Sequence, residues 1–313
     1  MQLLYALAEL RTPFLDALLG ALTNCGGELV FMAAAIIVFW CVSKSCGYYM
    51  LTVGFVGTIV NQFLKLVFRI PRPWVKDPDF QIVESARAEA TGYSFPSGHT
   101  QNVFASFGCL GRWTKRAWLR VVCALLIVVT AFSRMYLGVH TPLDVGVSFG
   151  IGLVLVFALY PLFRDIDSHP KRLYLLFAGM AVLGAAYLLF AELWPFPADV
   201  DAANLASGRK NAYTLLGAVL GMTFAYWLDR RYVHFDVRAV WWAQVLKTVL
   251  GLAITIGLRA ALKAPLLALC GGHNVANLIR YALMVIFAAG IWPMTFGWFG
   301  RLGRKKPASG ASD

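Results

Sequence analysis

A chain of 313 residues with 59% hydrophobic and 14% charged residues and a mean hydropathy of +0.66 is not an ordinary soluble domain, in which about a quarter of residues carry charge. Its 22 Phe, 12 Tyr and 10 Trp exclude disorder. The formal charge of +12 could suit nucleic acid, but the basic residues lie between long apolar runs, the distribution of a polytopic membrane protein, so no nucleic-acid partner is expected.

In chain order, residues 1–24 are apolar but interrupted by Glu9, Arg11, Pro13 and Asp16, which predicts a helix lying in the interface. Nine stretches then approach the length of a membrane span: 28–45, 47–68, 98–113, 118–138, 142–163, 172–191, 211–228, 241–262 and 275–298. The third is short, and Lys247, Arg259 and Lys263 mark the eighth. The expected fold class is therefore all-α, a polytopic transmembrane helical bundle of about nine spans plus an N-terminal interfacial helix. The segment Arg164–Lys171 separates a first part of five spans, residues 25–163, from an additional membrane region of four, residues 164–298; the polar tail 299–313 is expected to be disordered and cytoplasmic. The pairs Tyr48-Tyr49 and Trp241-Trp242 read as aromatic belts at the interface. Six cysteines without a CxxC pair indicate neither a zinc site nor a disulfide framework.

With nine spans, one set of connections carries 15 Lys and Arg against five acids, and the other 12 against 11. Basic residues gather on the cytoplasmic side, so the first set is assigned there. The long loop 69–97 and the turn 136–141 then face outward, as does the N-terminus.

Three clusters at the outward ends of spans carry chemistry: Lys65-x6-Arg72-Pro73, Pro96-Ser97-Gly98-His99, and Ser133-Arg134-x5-His140-x3-Asp144. Taken singly each residue has a bland explanation: Lys65 can snorkel, Ser97 can be an N-cap, and Asp144 can answer a helix dipole. Together, Lys65, Arg72 and Arg134 are cations without local carboxylates, and two guanidinium forks with an ammonium suit a phosphoryl group. Ser97 and Gly98 open a helix, where free backbone N–H groups and the lack of a Cβ favour an anion. Asp144, four residues after His140, can fix the imidazole tautomer and leave the other nitrogen to attack phosphorus, and His99 can protonate the departing oxygen. The three cations make a divalent ion unwelcome, so no metal and no other cofactor is expected.

This combination resembles the type 2 phosphatidic acid phosphatase superfamily, whose signature K-x6-RP, PSGH and SR-x5-H-x3-D is met at every fixed position. The likeness covers about residues 25–163. It implies a phosphohistidine on His140, no metal requirement, and a helical bundle around an outward-facing site. It shares that site with soluble vanadium haloperoxidases, from which the hydropathy of this chain sets it apart. The implied protein is an integral membrane lipid phosphatase of the bacterial inner membrane with an extracytoplasmic site and the bilayer as its surroundings. Undecaprenyl or another isoprenyl diphosphate is the first expected substrate. Phosphatidate, phosphatidylglycerophosphate or a sphingoid phosphate is the alternative, and a lipid transporter is the reading from a different class.

Overall fold

Side-chain caps and prolines decide where the helices begin. In the computed structural model, which describes residues 1–166 and 168–302, Thr12 accepts from the backbone N–H of Leu15 at 3.3 Å and Pro13 takes the first helical position. The N-terminal segment is therefore two helices, α1 (Gln2–Glu9) and α2 (Pro13–Thr23), where a single interfacial helix was expected. A short turn leads into α3 (Glu28–Cys41). Ser43 caps α4 (Lys44–Phe68), and Pro73 opens the single turn α5 (Pro73–Lys76). After a long loop come α6 (Gly98–Val103), a π-helical turn at Phe104–Gly108 and α7 (Cys109–Trp113), followed by α8 (Ala117–Tyr136). Thr141 and Asp144 form a reciprocal capping box at the start of α9 (Pro142–Arg164). The remaining helices are α10 (Pro170–Leu193), α11 (Ala202–Leu228), α12 (Trp241–Ala261), α13 (Lys263–Leu269), α14 (Val275–Ile286) and α15 (Phe296–Phe299). Most of the tail expected to be disordered lies outside the described residues.

The bundle is all-helical, as its composition implied. Among the described residues six helical segments are long and apolar enough to cross a membrane: Lys44–Lys76, Ala117–Tyr136, Pro142–Arg164, Pro170–Leu193, Trp241–Leu269 and Val275–Phe299. A seventh arises if α2 and α3, bent by 49° at their junction, are one span. The expected nine included α3 alone, the short helix from 98 to 113, and α11. Helix α11 begins with the polar sequence AANLASGRKN and is walled by α4, α10 and α14, so protein rather than lipid surrounds much of it.

Packing around α11 joins the two halves of the chain. The sequence GAVLG places Gly217 and Gly221 on one face, where an added Cβ would come within 2.2 Å of the Leu278 carbonyl oxygen and 2.6 Å of that of Ala282. Small residues at this spacing let α14 press against the α11 backbone, the principal way membrane helices gain close packing. One hydrophobic core runs from Phe31 to Phe299 and includes residues on both sides of the Arg164–Lys171 segment. Tyr48 and Tyr49 lie inside it, each 0% exposed, with the Tyr49 hydroxyl donating to the Val156 carbonyl at 2.5 Å. They are core residues and not the interface belt that hydropathy suggested, because α4 is central to the bundle. Trp241 and Trp242 are exposed.

A second, smaller core sits at one end, where Leu4 and Leu19 meet Phe80, Ile82 and Leu137. There Arg11 donates to the carbonyls of Gln81 and Tyr136, and the Tyr136 hydroxyl donates to Asp16. The N-terminal helices thereby clamp the 69–97 loop over the end of α8, the end that holds the conspicuous motifs.

Candidate active site

The last turns of α4 and α8, the first turns of α6 and α9, and the loops between them converge on a cavity of about 540 Å³. Lys65, Arg72, Gly98, His99, Arg134 and His140 all line it. Ser97 and Asp144 stand directly behind. Residues 65 to 144 of the chain thus meet at one place, although the spacing between motifs contains no period.

His140 is held from two sides. Arg72 Nη1 lies 2.9 Å from His140 Nε2, and Asp144 Oδ2 lies 3.5 Å from His140 Nδ1. A guanidinium can only donate, so Nε2 carries the lone pair and Nδ1 the proton, turned toward the carboxylate. His140 belongs to the turn between α8 and α9. Burial, followed by the nearby charges of Arg72, Arg134 and Lys65, holds its pKa well below the ordinary imidazole value of 6.5. The ring is therefore neutral and nucleophilic through the physiological range.

Asp144 does more than face the histidine. Its Oδ2 accepts from Ser94 Oγ at 2.5 Å and from the Thr141 backbone N–H at 2.7 Å. Ser94 was not singled out by sequence, because fifty residues separate it from Asp144 and its neighbours read as loop. These two bonds fix the carboxylate beside His140 as the capping box fixes the start of α9.

The three cations have different surroundings. Lys65 Nζ donates to the Tyr93 carbonyl. Arg72 donates through Nε to Gly92, through Nη2 to Thr91 and through Nη1 to Val139 as well as to His140. Its fork braces the loop that covers the cavity. Arg134 is 1% exposed and donates only from Nη1, to Thr23 Oγ1 at 3.0 Å. Its Nε and Nη2 have no partner in the protein. An unmet buried donor costs roughly 1–3 kcal/mol, so these two nitrogens are open to an acceptor, water or an anion, in the cavity that the residue lines.

The PSGH segment divides its work in a way the sequence did not resolve. Ser97 is 0% exposed, and its Oγ accepts from the Thr100 hydroxyl at 3.0 Å and caps α6. Ser97, expected to contact phosphate, is not among the residues lining the cavity; its Oγ accepts both of these bonds and keeps its own proton to donate. Gly98 lines the cavity, and a Cβ built there would meet nothing within 4 Å. The fold itself does not require glycine at 98; the open space beside it is room for a ligand. His99 Nε2 lies 2.9 Å from Glu89 Oε2. Glu89 was overlooked, and the only hint in the sequence was its place in a loop rich in both signs of charge. Among the described residues no three His, Cys, Asp or Glu side chains are grouped as metal ligands.

These positions invite comparison with known proteins. Residues 45–168 match the PAP2 superfamily, and residues 213–305 match the transmembrane extension of PAP2 superfamily phosphatases. The chain is similar to undecaprenyl-diphosphatase BcrC of Bacillus subtilis, with 33% identity over 39% of this chain and 61% of the relative. It is 25% identical to phosphatidylglycerophosphatase B of the same organism, over 52% of this chain and 80% of the relative. A probable sphingosine-1-phosphate phosphatase of Dictyostelium discoideum is 27% identical over 71% of this chain and 56% of its own length. The chain thus spans less than two thirds of the first and third of these relatives. No solved structure matches it. Two successive matches that bracket the cavity and the helices behind it, with every signature residue in place, mean that the chain belongs to the PAP2 superfamily.

Proposed function

We propose that the protein is a membrane lipid phosphatase that works through a phosphohistidine on His140. The observation that carries this reading is the setting of one neutral imidazole, between the Arg72 guanidinium at 2.9 Å and the Asp144 carboxylate at 3.5 Å, on the wall of a cation-lined cavity. The terminal phosphoryl group enters the space among Lys65, Arg72, Arg134 and Gly98 and takes up the unmet Arg134 donors. It replaces His140 as an acceptor for Arg72, which frees Nε2.

His140 Nε2 then attacks phosphorus in line, forming the N–P bond as the P–O bond to the lipid breaks. Asp144 stabilises the imidazolium that develops, and His99 gives its proton to the leaving oxygen. Water, relieved of a proton by His99, next cleaves the N–P bond and releases inorganic phosphate. The cradle grips only the terminal phosphoryl group. By itself it therefore serves an isoprenyl diphosphate, as the relative named for undecaprenyl diphosphate suggests, and equally the monoesters for which the other relatives are named. We keep an outward-facing site in a bacterial inner membrane as part of this proposal, since Arg230, Arg231 and Arg238 follow α11 near Asp229, at the end of the bundle away from the cavity, and basic residues favour the cytoplasmic side.

The test is release of inorganic phosphate from purified protein in detergent. Turnover that survives EDTA and is blocked by vanadate, whose trigonal-bipyramidal adduct on histidine imitates the transferring group, is the expected result. Complete dependence on an added metal would defeat the mechanism. Movement of lipid across proteoliposomes that persists in His140→Ala would favour a transporter instead.

A further inference from the structure

The cavity extends beyond the phosphoryl cradle. Along α4 its wall continues from Lys65 to Asn61 and Thr58, residues one and two helical turns nearer the middle of the bundle. Each turn advances roughly 5–6 Å. Gln101 and Asn102 of α6 line the same stretch, and Asn211 and Thr214 of α11 close its far side. The α11 wall gives the second half of the chain a share in the site. Leu29 and Val30 of α3 form another wall and are 76% and 39% exposed on the outer surface of the bundle, so the groove opens toward lipid.

Two amides in this groove have nothing to bond to. Asn61 is 3% exposed and Gln101 1%, and both the oxygen and the nitrogen of each side chain lack a partner in the protein. The two meet the same part of α4. A Cβ on Gly57 would lie 2.1 Å from Gln101 Nε2, so the glutamine amide rests against the helix backbone one turn from Asn61, and only glycine at 57 admits it. Four unmet buried polar atoms are unfavourable, because they lose their hydrogen bonds to water without gaining others. Native interiors avoid that arrangement unless ordered water or a ligand completes it.

The chemistry of the groove selects the ligand. Each amide offers a donor and an acceptor. A hydroxyl, also donor and acceptor, satisfies both. A second phosphate only accepts, so the Asn61 and Gln101 oxygens would confront it unanswered. The cations of the cavity all sit at the cradle, and its two carboxylates, Glu28 and Glu89, would repel a further anion.

We propose that Asn61 and Gln101 form a second subsite that hydrogen-bonds a hydroxyl on the carbon next to the phosphoester. The substrate is then a lipid monoester with a glycerol-type backbone whose position next to the phosphoester carbon bears a free hydroxyl. This rests on the hydrolase reading above and narrows it. It displaces the isoprenyl diphosphate expected from sequence, because a prenyl chain offers the amides nothing and a diphosphate places charge beside them.

The experiment compares three probes in detergent micelles at equal mole fraction: an alkylglycerol 3-phosphate with a free 2-hydroxyl, a plain alkyl phosphate of equal length, and an isoprenyl diphosphate. The ratio of kcat/KM between the first and second is the readout, because the fraction of folded enzyme cancels from it. In the wild-type protein the ratio is expected to be roughly tenfold or more, since a site built to bond a hydroxyl discriminates strongly against its absence. Asn61→Leu and Gln101→Met, each close in volume to the residue replaced, should bring it toward one. A wild-type ratio near one, a ratio unmoved by either substitution, or an isoprenyl diphosphate turned over best would overturn the subsite and mark the groove as solvated space only. Turnover of none of the three would remove the hydrolase reading and this one together.

Discussion

Buried or half-buried cations stand at both ends of this bundle, and their surroundings differ. At the end remote from the cavity, Lys44 pairs with Asp229 at 2.8 Å and lies 3.9 Å from the Phe235 ring centre. Lys247, 1% exposed, donates to the carbonyls of Trp40 and Val237 at 2.8 and 3.3 Å. At the cavity end, Arg134 is equally buried and retains two unbonded nitrogens. A charge completed by its own fold holds helices in place. A charge left incomplete beside a cavity is open to an acceptor from outside the fold, and an anion is the acceptor that also answers its charge. Burial alone does not identify a site; unmet hydrogen-bonding capacity on the wall of a cavity points to one.

The sharpest way to break this contrast is His140→Ala. Removing the proposed nucleophile should lower phosphate release by at least roughly a thousandfold, with the thermal unfolding midpoint little changed. Substantial residual turnover would mean that the attacking group lies elsewhere.

The contrast itself is tested by a pair of substitutions. Arg134→Ala is expected to reduce kcat by about 10²–10³ by removing charge stabilisation in the transition state, while costing little stability. Lys44→Ala leaves Asp229 buried without its partner, and an uncompensated buried charge is destabilising by on the order of 3 kcal/mol. Its unfolding midpoint in detergent should fall, with turnover per folded molecule retained. If Arg134→Ala unfolds the protein and Lys44→Ala silences it, the two ends have been assigned the wrong way round.

A smaller effect is expected at Glu89. Glu89→Gln keeps the shape but removes the charge beside His99, so kcat should drop about tenfold through less effective proton donation. A loss confined to KM would instead make Glu89 a substrate contact.

The smallest effect concerns pH. His140 is held below pKa 6.5 by burial and the adjacent cations, so the imidazole stays unprotonated as the pH falls through 6.5. The acid limb of kcat/KM therefore lies below 6.5. A limb at or above that value would argue against a buried, neutral nucleophile.

Much of the site was legible in the order of residues. His140 and Asp144 are four apart across a helix start, and such local spacing places them together in any fold that begins a helix at Pro142. Lys65 at the end of α4 and Arg134 at the end of α8 were likewise placed by the ends of apolar runs. Ser94 and Glu89 were not legible, because each acts on a residue that only loop folding brings near. Ser97 read as a phosphate contact, and the structure adds that its Oγ caps α6. Tyr48 and Tyr49 looked like interface residues, since a hydropathy pattern cannot tell the centre of a bundle from its rim. The close contact of α11 with α14 was written in GAVLG, but its partner face was not.

Sequence by itself determined the class of fold and the chemical inventory: apolar runs demand helices in lipid, and the motif spacings set three cations and two imidazoles at their ends. Tertiary structure alone decided which polar atoms are answered by the protein and which remain open, at Arg134, Asn61 and Gln101. The physical reason is that a hydrogen bond is satisfied by proximity in space, and the groups that satisfy or fail these residues lie on helices far away along the chain.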